Sequence, residues 1–86
     1  MTKSRIRSLL DKIFWHRDLD PKDFEVLILH RGAPNDVKVI PATSIIGIFK
    51  GGFKFRDLDG SEKMIPYHRV LLIRDRARNE ILFKKT

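Results

Sequence analysis

Each of the three histidines in this chain is followed by an arginine: His16-Arg17, His30-Arg31 and His68-Arg69. With nine arginines in 86 residues, chance would place one after all three histidines about once in a thousand chains. The two side chains do complementary work on a phosphate. Arginine brings a permanent charge and a planar fork of donors that matches phosphate oxygens. Histidine brings a donor or acceptor whose charge changes near neutral pH. Two of the pairs follow an aromatic residue, Trp15 before His16-Arg17 and Tyr67 before His68-Arg69. Rings that stack bases and forks that grip phosphates are what a single-stranded RNA end requires. The plainer alternative is that the arginines are solvated beside half-buried histidines, and that Trp15 and Tyr67 plug the core with one polar tip.

Those pairs need elements to position them. Ser4 is a good helix cap, and Ile6, Leu9, Leu10, Ile13 and Phe14 make one apolar stripe after it. Trp15 falls about 180° from Ile6, on the basic side of that helix. Asp18-Leu19-Asp20-Pro21 ends the helix. Phe24–Leu29 is apolar on both faces and reads as a central strand. In it Phe24, Val26, Ile28 and His30 share one face, and Leu27, Leu29 and Arg31 the other. Strands are also expected at Val37–Ile40, Ile45–Phe49, Phe53–Arg56, Glu62–Ile65, Arg69–Arg74 and Glu80–Lys84. Gly47 marks a bulge or bend, Gly51-Gly52 a tight turn, and Pro66 an edge or break. The last two strands form a hairpin around Arg76–Asn79. All three His-Arg pairs therefore stand at element ends, where functional residues concentrate.

The expected fold is a single α+β domain over residues 1–86. Its N-terminal amphipathic helix packs on a curved antiparallel sheet of about five to six short strands, open or closed into a barrel. No linker or repeat is evident.

Composition narrows the function. The chain has no cysteine, so it has neither a disulfide framework nor a thiolate site. No apolar run is long enough for a membrane span, and the charged N-terminal segment does not read as a signal peptide, so no membrane is expected and the simplest location is cytoplasmic. The net charge of +7 lies wholly at the two ends: +4 over residues 1–17, zero over 18–73 and +3 over 74–86. If the ends meet, they make one basic face of the kind nucleic acids attract.

Trp15, the strand ending Leu29-His30-Arg31-Gly32, and the run Ile65-Pro66-Tyr67-His68-Arg69-Val70 together resemble the RNA cyclic-group-end recognition domain family of archaea and eukaryotes. The resemblance covers nearly the whole chain, and Ile-Pro-x-His-Arg-Ile/Val is its most specific part. It implies binding of RNA ends carrying a 2′,3′-cyclic phosphate, in RNA processing or repair, in the company of RNA-processing enzymes. It carries over to Trp15, Arg31, His68 and Arg69. At His30 and His16 this chain departs, since many relatives have an acid there. The residues expected to touch RNA are thus Trp15, His16, Arg17, His30, Arg31, Tyr67, His68 and Arg69, with no cofactor and no metal.

Two other classes compete. A phosphoesterase would use two histidines as acid and base on the cyclic phosphate. Two-histidine phosphoesterases, however, carry His-x-Ser/Thr, and the residues here are Asp18, Gly32 and Val70. A zinc site from His16, His30 and His68 has no support in their spacing. A basic protein-interaction module is the third class, and it would be indifferent to the chemistry of an RNA end.

Overall fold

The computed structural model describes residues 5–85. Helix α1 runs Arg5–Trp15 and buries Ile6, Leu10 and Ile13, with Leu9 and Phe14 packed beside them. The apolar stripe thus faces the core as its spacing requires. The proposed cap, Ser4, lies outside the described residues.

Seven strands follow among the described residues: β1 Phe24–Leu29, β2 Val37–Pro41, β3 Ile45–Ile48, β4 Gly52–Arg56, β5 Glu62–Pro66, β6 Val70–Asp75 and β7 Glu80–Lys84. They form two antiparallel sheets, ordered β2-β1-β6-β7 and β3-β4-β5. The α+β class holds, but the single sheet of five or six strands does not: there are seven strands in two sheets, and neither closes into a barrel.

The chain divides because it changes sheet twice, at two corners of one design. β2 ends at Pro41 and β5 at Pro66, and a proline has no N–H with which to carry a ladder onward. Each proline leads into a 3₁₀ turn, Ala42–Ser44 or Tyr67–Arg69. The residues after the turns, Ile45 and Val70, both have φ −75° and ψ 124°. Each turn buries its first residue, Ala42 or Tyr67, and exposes its second, Thr43 or His68. Ile40-Pro41-Ala42-Thr43-Ser44-Ile45 and Ile65-Pro66-Tyr67-His68-Arg69-Val70 are therefore an internal repeat, one that reading for sequence identity misses.

β1 is central in the strand order, between β2 and β6, as expected, but only one of its faces is covered. Its Phe24, Val26 and Ile28 face α1 and the second sheet, in a core completed by Leu10, Ile13, Ile40, Phe53, Val70 and Ile73. Phe53 and Phe55 both point inward, with ring centroids 6.4 Å apart. The pairing of β3 with β4 shifts between Ile45 and Gly47, the bulge that the glycine suggests. On the other face of the four-stranded sheet, Leu29, Val39 and Ile81 are exposed, and buried Glu25 is paired with Arg74.

One carboxylate fastens the two sheets together. Asp57, just after β4, accepts from Lys38 of β2 and Lys63 of β5, each at 2.9 Å. These two ammonium groups, Lys63 foremost, and the Leu58 N–H hold its carboxyl well below the usual carboxylate range.

Candidate nucleic-acid interface

The register of β1 on β6 sets the geometry. Leu27 faces Leu72 and Ile28 faces Val70, so Leu71 is the extra residue of a bulge. The end of β1 and the start of β6 therefore lie side by side. Two connections leave the sheet at that edge: the loop His30–Asp36 between β1 and β2, and the corner turn Tyr67–Arg69. β7 arrives at the same end, with Lys84 facing Leu72. The next residue is tied down twice: the Lys85 N–H donates to the Leu71 carbonyl at 2.8 Å, and its Nζ donates to the His68 carbonyl at 2.6 Å.

Two of the three His-Arg pairs, with Lys84 and Lys85, thus gather at one end of the four-stranded sheet. Arg31, His68, Arg69 and Lys85 are exposed there, and His30 is half-buried. Arg31 is displayed by a tight loop. The His30 carbonyl accepts from the Ala33 N–H, the His30 N–H donates to the Asp36 carbonyl, and Gly32, Asn35 and Asp36 have φ of +95°, +57° and +56°. Asn and Asp tolerate that left-handed conformation better than most residues, and such strain is commonest at functional loops. The terminal charge is divided: Arg7 and Lys85 lie toward this end, whereas Lys12 and Arg78 line a cavity with Phe24 and Asp75 at the other. Arg7 of α1 lies near enough to Tyr67 for its charge to act on the phenol, and Lys85 holds the next residue. Two acids are close by: Asp11 also acts on Tyr67, and Asp36 accepts from the Gly32 N–H.

Tyr67 is not a free platform. Its side chain is buried, its hydroxyl donates to the Phe49 carbonyl, and its N–H donates to the Gly51 carbonyl. Burial pushes the phenol pKa up. The 3₁₀ corner turns Tyr67 inward and His68 and Arg69 outward, so that Tyr67 positions the pair instead of stacking. His68 and Arg69 stand in this turn, ahead of β6, and not in the strand itself.

The third pair is elsewhere. Trp15 ends α1 and is 84% exposed, and His16 and Arg17 follow it on the surface. The Asp18 N–H donates to His16 Nδ1 at 3.2 Å, which leaves the proton on Nε2. Just beyond them, Leu19 lines a small cavity with Phe24 and Asp75, at the far end of β1 and β6. About 17 Å of β1 separates the two ends. The three histidines do not converge, and no group of three metal-ligating side chains occurs among the described residues.

Lys84, Lys85 and Phe49 are the residues at this interface that reading the motifs alone omits. The lysines were visible only as part of the C-terminal charge. Phe49 was expected to end the third strand, which instead stops at Ile48 and leaves the ring 46% exposed. No helix among the described residues is long and apolar enough to cross a membrane.

Comparison with known proteins places this arrangement. The sequence model described as the MJ1316 RNA cyclic group end recognition domain matches residues 3–85. UPF0248 protein MJ1316 of Methanocaldococcus jannaschii is 42% identical over 80 residues, covering 93% of this chain and 92% of its own. UPF0248 protein MmarC7_1289 of Methanococcus maripaludis strain C7 is 38% identical, covering 93% and 97%. A UPF0248 protein of Thermococcus onnurineus is 36% identical over 70 residues, covering 81% and 74%. No solved structure gives a significant match.

Proposed function

Because the chain belongs to the MJ1316 RNA cyclic group end recognition domain family, we propose that it binds RNA ends carrying a 2′,3′-cyclic phosphate, through the cluster at the β1–β6 edge. The observation that carries this reading is the convergence of His30-Arg31 and His68-Arg69, 38 residues apart in the chain, beside the tethered Lys85.

A cyclic phosphate diester has one negative charge and neither a free 2′-hydroxyl nor a free 3′-hydroxyl. Its reader needs charge that does not titrate and donors in a plane. Arg69 and Arg31 supply both. His68 adds a donor whose strength depends on pH, and Lys85 brings a second point charge beside it. A charge-assisted contact of this kind contributes about 1.5–3 kcal/mol, so its loss weakens binding about 10-fold to 100-fold. His16 and Arg17 are too far along the fold to grip the same phosphate. The broader role in RNA processing or repair, beside RNA-processing enzymes in the cytoplasm, is part of this reading.

The test is one short RNA with three 3′ ends, hydroxyl, 3′-phosphate and 2′,3′-cyclic phosphate, bound at near-physiological salt. A His68→Ala, Arg69→Ala double variant is run alongside, and the cyclic end is examined afterwards. Tighter binding of the intact cyclic end, lost in the variant, supports recognition. Opening of the ring would make the two histidines of the cluster an acid and a base, and the protein a phosphoesterase. Equal affinity for all three ends would sink end recognition.

A further inference from the structure

A groove of about 390 Å3 runs between the last turns of α1 and the edge strand β3, lined by Phe14, Trp15 and Ile45–Ile48, with Asp11 as its one acid. Two exposed aromatic rings flank it. Trp15 stands at one end. At the other, the Phe49 ring lies across Gly47, with ring carbons 2.7 Å from where a Cβ would be. The Phe49 carbonyl accepts the Tyr67 hydroxyl, so this end of the groove abuts the corner that displays His68 and Arg69. Cations lie near both rings: Arg17 follows Trp15 by two residues, Lys50 follows Phe49, and Lys54, which pairs with Glu62, is the register partner of Gly47.

We propose that this groove is the track for the single-stranded RNA immediately behind its end, with Phe49 and Trp15 as stacking platforms for successive bases. The proposal rests on the end-recognition reading, which it extends from the phosphate to the bases. Every base has a π face, so exposed rings interleaved with cations bind single strands with little regard to sequence. The segment of β3 between Ile46 and Phe49 spans about 10 Å. That is the length of about three bases at the stacked rise of ~3.4 Å along one strand. The open edge of β3 could instead pair with a peptide strand. Such a guest would leave both rings and the surrounding cations without a purpose, and the excess of cations favours a polyanion.

The chain's one tryptophan reports directly, because a base stacked on Trp15 changes its fluorescence. Three probes ending in 2′,3′-cyclic phosphate are titrated into the full chain: a mononucleotide, a tetranucleotide, and a tetranucleotide abasic behind its terminal residue. We expect the intact tetranucleotide to bind at least 10-fold tighter than the other two and to quench Trp15, which the mononucleotide leaves unchanged. Read by calorimetry, because Trp15 variants lose the fluorophore, Phe49→Leu and Trp15→Leu, both at exposed positions, each weaken the tetranucleotide about 5-fold to 100-fold. Their melting temperatures stay near the parent's, and Trp15→Phe restores most of the loss.

Equal binding of intact and abasic tetranucleotides with Trp15 unquenched, while the preference for the cyclic end persists, would overturn the track and leave the end reading standing. Base-dependent quenching without regard to the end would do the reverse. Quenching by a short Thr- and Val-rich peptide, but by no RNA, would assign the groove to a protein strand and overturn the proposal.

Discussion

Tyr67 ties the β3–β4 turn to the corner bearing His68 and Arg69, through its hydroxyl on the Phe49 carbonyl and its N–H on the Gly51 carbonyl. Tyr67→Phe keeps the buried ring and leaves the Phe49 carbonyl without its donor. We expect a loss of about 1 kcal/mol, seen as a fall in melting temperature of about 4–8 °C for a domain of this size. Two glycines of the β3–β4 hairpin separate by what their neighbours can do. At Gly52 a Cβ would stand 2.2 Å from the Ile65 carbonyl oxygen, backbone that cannot swing aside. Gly52→Ala should therefore cost more than about 3 kcal/mol. At Gly47 the obstacle is the Phe49 ring, which can rotate away. Gly47→Ala should melt close to the parent in the same scan while losing affinity for a tetranucleotide, because it dislodges a platform and spares the fold.

Among the elements, the clasp at Asp57 links strands of different sheets. Its carboxyl titrates well below the ordinary aspartate range, so the ionised form is preferred in the folded chain. The stability this contributes is fully present above that ordinary range and disappears as pH falls toward the depressed value. Asp57→Asn should thus melt lower than the parent at pH 7, and the gap should narrow between pH 4 and pH 2, as thermal scans across that range will read. Strand positions were legible in the sequence because they rest on local patterns: the two-faced apolar run at Phe24–Leu29, the alternation at Phe53 and Phe55, the glycine of the β3 bulge. Which strands share a sheet was not legible, since it turns on Phe24–Ile28 meeting Val70–Asp75 from over forty residues away. Local pattern also left open which way Tyr67 points. The 3₁₀ turn after Pro66 decides that, and a strand running straight on would have given His68 and Arg69 opposite faces. Phe49 was hidden for a related reason: the one-residue shift at the bulge changes which side of the sheet the following residues face.

For the molecule as a whole, Arg31, Arg69, Lys84 and Lys85 are brought to one edge, so affinity for RNA should fall with salt. Each phosphate contact on a single strand contributes about −0.7 to the slope of log K against log salt. One terminal phosphate gripped by Arg31, Arg69 and Lys85 should show a slope of about −0.7. Lys85→Ala should flatten it by less than this, in titrations from low to physiological salt. The pairing of β1 with β6 bears also on when the protein becomes competent. β3, β4 and β5 join through short hairpins that can form early, whereas β1 must wait for a partner synthesised long after it, and closing so large a loop is slow. Trimming that seam, with Val26→Ala or Ile73→Ala, should retard refolding in stopped-flow traces. Arg31 and Arg69 become neighbours only at that closure, so a labelled RNA end added during refolding would be captured last of all, a clock for the final step of assembly.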